Sequence, residues 1–103
     1  MAYVKIDSAS SGANTLVAAV TGRQIRVIGF GLVATGAVTI VFKSATTALT
    51  GVMSLAANQG LVSPPSGNSY DPLPQMITAS GEALILTLGT AVQVSGWLVY
   101  DLV

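Results

Sequence analysis

The chain contains no histidine and no cysteine. The commonest general base, the thiol nucleophile and the nitrogen and sulfur ligands of most zinc sites are therefore missing. No disulfide can staple the fold. Charge is scarce as well. About 26 charged residues would be usual at this length, whereas four basic and four acidic residues here cancel to zero net charge. Without a basic excess nothing neutralises a phosphate backbone, so nucleic acid is not an expected partner. The charged residues Lys5, Asp7, Arg23, Arg26, Lys43, Asp71, Glu82 and Asp101 must serve a folded surface of about 5,400 Å². A neutral surface so poor in ions, on a chain that is 51% apolar, is expected to meet protein or lipid rather than water alone.

Two uncharged runs bear on the choice between protein and lipid: Val27 to Phe42, flanked by Arg26 and Lys43, and Ala83 to Tyr100, between Glu82 and Asp101. As a helix the first would reach only about 24 Å, short of a hydrocarbon core of about 30 Å. Half of its residues are β-branched (Val27, Ile28, Val33, Thr35, Val38, Thr39, Ile40, Val41), and Gly29, Gly31 and Gly36 interrupt it. That composition favours two strands with a turn near Ala34 to Ala37. The second run breaks at Gly89-Thr90, and Gln93 and Ser95 alternate with Val92 and Val94. No membrane span is expected, nor a signal peptide, since Lys5 and Asp7 interrupt any apolar run at the N-terminus.

The remaining pattern is strands separated by turn residues at intervals of roughly ten, the signature of an all-β sandwich. Tyr3 to Asp7 alternates, with Val4 and Ile6 inward and Lys5 and Asp7 outward. Further strands are expected at Asn14–Val20, Arg23–Ala34, Ala37–Lys43, Thr46–Leu49, Val52–Ala56, Glu82–Leu88 and Ala91–Leu102. The expectation is a single antiparallel β-sandwich over residues 1–103, with about eight strands. A Pro-rich crossover loop is expected at about 58–75, holding Pro64, Pro65, Tyr70, Pro72 and Pro74. Proline stiffens such a loop and removes donors.

Two strands do not obey a simple inside–outside rule. Val27 to Val33 is apolar or glycine on both faces, and Val92 to Tyr100 still carries Trp97 and Val99 on its second face. Strands apolar on both faces are covered on both faces, so a loop or another subunit should supply the second cover. Gly29, Gly31 and Gly96 either mark bulges or admit a bulky neighbour. Phe30, Pro64, Pro65, Tyr70, Trp97 and Val99 are accordingly the candidate contact residues.

Catalysis has no foothold in this pattern. Asp7, Asp71, Glu82 and Asp101 fall in separate elements, no serine–lysine spacing stands out, and the glycines form no phosphate cradle because neither a helix nor a Lys-Ser/Thr pair follows them. No acidic cluster has calcium-loop spacing. The chain is not expected to be an enzyme or to hold a metal or cofactor. The aromatics Tyr3, Phe30, Phe42, Tyr70, Trp97 and Tyr100 could line a sugar-binding face, but so few polar companions fit core and subunit contacts better.

Three stretches carry a resemblance: Thr47 to Asn58 (TALTGVMSLAAN), Gly81 to Gly89 (GEALILTLG) and Val92 to Tyr100 (VQVSGWLVY). From about Asn14 onward the chain resembles small β-sandwich virion proteins of tailed bacteriophages, in particular capsid decoration (cement) proteins. Ser63 to Pro74 is longer than the group's usual turn. The resemblance implies a jelly-roll-like sandwich and a structural protein without catalytic chemistry, placed on the outer capsid surface, often as a homotrimer, and clamping the phage major capsid protein. It also leaves open a tail or fibre-associated β-sandwich protein, such as an adhesin or carbohydrate-binding module.

Overall fold

The computed structural model describes residues 2–63, 66, 67, 72, 73 and 76–103. Twelve strands follow in chain order: β1 (Ala2–Ser8), β2 (Gly12–Val17), β3 (Ile25–Ala34), β4 (Val38–Ser44), β5 (Thr47–Ala48), β6 (Met53–Leu55), β7 (Gly60–Ser63), β8 (Ser66–Gly67), β9 (Pro72–Leu73), β10 (Met76–Ile77), β11 (Leu84–Leu88) and β12 (Val94–Leu102). Eight of them build the domain. The first sheet, A, runs β1-β12-β3 with β7 alongside β3, and the second, B, runs β2-β11-β4 with β6 alongside β4. All pairings are antiparallel. The chain changes sheet at nearly every step, and only β4 and β6 are successive principal strands in one sheet. This is the two-Greek-key order of a jelly roll, and the sandwich is the one the strand spacing led us to expect. The remaining four elements are two-residue pieces: β5 beside β4, β10 beside β3, and the β8–β9 pair.

Alternation sets the core. Ile6 of β1, Val94 and Leu98 of β12, and Phe30, Leu32 and Ala34 of β3 face Val38, Ile40 and Phe42 of β4 and Leu84, Leu86 and Leu88 of β11. Phe42, Leu84, Leu86, Leu98 and Val94 are inaccessible to solvent. Each large side chain so buried contributes about 1.5–3 kcal/mol of transfer free energy. The rings of Phe30 and Phe42 meet across the two sheets at 5.0 Å and 51°, a tilted pairing that favours edge-to-face contact.

Polar groups close the ends of the sheets. The Ile25 amide donates to Thr78 Oγ1 at 2.8 Å, and the Thr78 amide donates to the Ile25 carbonyl at 2.9 Å. The buried Ser44 hydroxyl donates to Glu82 Oε1 at 2.5 Å and accepts from the Ala79 amide at 2.9 Å. Glu82 thereby ties the end of β4 to the turn before β11.

The two apolar runs form β3–β4 and β11–β12. Among the described residues no helix is long and apolar enough to cross a membrane. The segment 58–75 is not irregular throughout, because Gly60–Ser63 pairs with Val33–Phe30 of β3. A four-residue strand opening on glycine carries too little alternation to stand out in the sequence.

Candidate interaction surface

The inner faces of both sheets are spent on the core, so any surface the fold offers lies outward. On sheet B that face holds Ala13 and Thr15 of β2, Ile85 and Thr87 of β11, and Thr39, Val41 and Lys43 of β4. That face mixes small and hydroxylic residues with the half-buried Val41 and Lys43, and its one large apolar side chain, Ile85, is buried.

Sheet A differs. Cross-strand register arranges its outward side chains in rows. One row runs Tyr3–Val99–Gly29, the next Lys5–Trp97–Gly31–Val62, and the next Asp7–Ser95–Val33–Gly60. Tyr3, Val33, Val62 and Trp97 are exposed, and Val99 is half-buried. Val33, Val62 and Trp97 thus form an apolar strip across β3, β7 and β12, with Tyr3 on edge strand β1.

The glycines of β3 make this strip flat. A β-carbon on Gly31 would sit 2.9 Å from Trp97 Cζ2 and 3.0 Å from Cε2. The indole therefore lies against its cross-strand partner, occupying the space a side chain at Gly31 would take, with 43% of the residue exposed. Gly96 serves the backbone itself, since a β-carbon there would overlap the Gly31 carbonyl oxygen and lie 2.7 Å from Leu32 Cα. Gly29 adjoins a bulge, where register shifts between Val99–Gly29 and Tyr100–Val27. Of the two roles considered for these glycines, close approach holds at positions 31 and 96, and the bulge falls next to position 29.

Polar groups bound the strip at both ends. At one end the Gln93 side-chain amide donates to Asp7 Oδ1 at 2.6 Å and to Ser95 Oγ at 2.9 Å. At the other, Arg26 Nη2 and Asp101 Oδ2 are 3.0 Å apart, with side chains 24% and 32% exposed. An apolar centre with a polar margin is the anatomy of a protein contact surface.

The candidate contact residues divide three ways. Trp97 and Val99 share the outward face of β12. Phe30 does not reach the surface: it is 7% exposed and packed in the core, because from Gly29 to Ala34, beyond the bulge, odd positions of β3 point outward and even positions inward. Pro64, Pro65 and Tyr70 lie outside the described residues. Sequence reasoning missed Val33 and Val62 as members of the surface, and Gln93 as the residue that organises its margin. Its one usable signal was a Gly-x-Gly strand and a tryptophan strand that were both apolar on their second face.

Elsewhere a depression of about 300 Å³ opens beside β4 and β6, lined by Ala37, Val38, Thr39, Ser54, Leu55, Gly89 and Thr90. Its lining holds no charged side chain. Among the described residues no group of three or more acidic side chains could hold a metal ion. No family model, curated protein or solved structure matches the chain.

Proposed function

We propose that this chain is a structural virion protein of the capsid decoration type, which binds an assembled phage head through the outer face of sheet A and stabilises it. The observation that carries this reading is the flat apolar strip of Trp97, Val33, Val62 and Val99, built on glycine and edged by polar groups. A decoration protein binds the assembled shell better than the loose subunits and so stabilises assembly by linkage. That work needs a rigid block with a contact face and no chemistry. Repetition over a lattice lets weak footprints act together, so no single contact has to be strong. The jelly roll suits the task, since its closed core leaves whole sheet faces free, and the phage resemblance of residues 81–100 points the same way.

The test is copy number in purified particles of the phage that encodes the chain, measured by quantitative mass spectrometry against the major capsid protein. Hundreds of copies per particle support a shell protein. A handful of copies overturns it in favour of a tail or fibre component, and absence from the particle overturns a virion role altogether.

A further inference from the structure

We propose that two copies of this chain join edge to edge through β1, with Lys5 of each copy opposite Asp7 of the other. β1 is the outer strand of sheet A, paired on one side with β12. Among the described residues no further backbone bond is made along its other side. A strand so placed presents a row of unpaired amides and carbonyls, a template for another strand.

Charge and side-chain parity select one register. Residues directly opposite in antiparallel pairing point to the same side, so two continuous sheets require outward residues to meet outward residues. That leaves Lys5 opposite Tyr3, Lys5, or Asp7 of the second copy. The first leaves both charges unmatched, and the second sets two ammonium groups against each other. Only the third pairs opposite charges, and it does so twice around the two-fold axis. It also places Ile6 against Ile6 on the buried side and Val4 against Ser8. Such a pairing is isologous and closes at two copies, so it forms a dimer rather than the trimer that the resemblance implies.

The charges stand ready for this arrangement. Lys5 Nζ is 3.8 Å from Asp7 Oδ2 within one chain, with side chains 79% and 57% exposed, a contact worth little by itself. Gln93 holds the other carboxylate oxygen, Oδ1, which orients Asp7 and leaves Oδ2 for a partner. Joining along β1 would merge two A sheets and lay their Trp97 strips side by side. The edge works independently of what the face binds.

Charge exchange tests it by sedimentation equilibrium on the full chain. Wild type should dimerise. Lys5→Asp sets carboxylates against carboxylates and Asp7→Lys ammonium against ammonium, so each variant alone should dimerise about 30-fold more weakly. An equimolar mixture should recover the dimer, because each carboxylate then faces an ammonium. Both side chains are exposed, and unchanged circular dichroism and urea midpoints verify the fold of each variant. A monomeric wild type, variants that dimerise as well as wild type, or a mixture that stays monomeric each overturns the pairing. Dimers that follow this pattern in a chain absent from particles would refute the shell assignment alone. A particle-bound chain with a charge-insensitive edge would refute the pairing alone.

Discussion

Gly96→Ala tests the packing that makes sheet A flat. A β-carbon at this position overlaps the Gly31 carbonyl oxygen and comes within 2.7 Å of Leu32 Cα. Both atoms belong to backbone, so no side-chain rotation relieves the clash. Strands β3 and β12, central in the sheet and paired from Ile25–Leu102 to Ala34–Val94, must move apart locally. Two weakened ladder bonds cost about 2 kcal/mol, and the overpacking strain adds about 1–3 kcal/mol. The total, about 3–5 kcal/mol, is a large part of the 5–15 kcal/mol that holds a typical domain of roughly this size. In urea, with a slope of about 1–3 kcal/mol/M, the midpoint should fall by about 2 M. Gly51→Ala is the control, since a β-carbon there meets nothing within 4 Å, and it should stay within about 0.5 kcal/mol of wild type. A Gly96→Ala protein within about 1 kcal/mol of wild type would refute the close approach of the two strands.

Other substitutions probe separate contacts. Thr78→Val keeps the volume but strands the buried Ile25 amide, so urea unfolding should show a loss of about 1–3 kcal/mol, with Thr78→Ser close to wild type. Thr87→Val should be neutral or stabilising by about 1 kcal/mol in the same assay, because the Thr87 hydroxyl oxygen is buried on sheet B without a partner. Gly31→Ala should lift the indole off the sheet, shifting emission of the single tryptophan to the red at a cost of about 1 kcal/mol.

Much of the architecture was legible because strand alternation acts locally. Val38, Ile40 and Phe42 share a face, as do Leu84, Leu86 and Leu88, and both triplets are buried as their spacing implies. Turn residues separated the strands, and their ten-residue spacing pointed to the sandwich. The exposed surface was harder to read, because it depends on which distant strands become neighbours. Nothing local tells that Trp97 will lie opposite Gly31, or that Val62 will join the same row. Phe30 shows the converse difficulty. In a strand apolar on both faces, composition does not say which face turns inward, and a bulge beside Gly29 changes the phase partway along. Here sheet B decides, because Phe42 supplies the ring that Phe30 packs against.

The central claim is that the Trp97 face of sheet A is a contact surface for an assembled shell. The chain's single tryptophan sits in that face, so its emission reports contact without a label. On the proposed role, intact phage heads stripped of the protein should shift Trp97 emission to the blue in a saturable titration, while dissociated capsid protein should not. Protein that sediments with the heads while Trp97 emission keeps its solvent-exposed maximum would contradict the account.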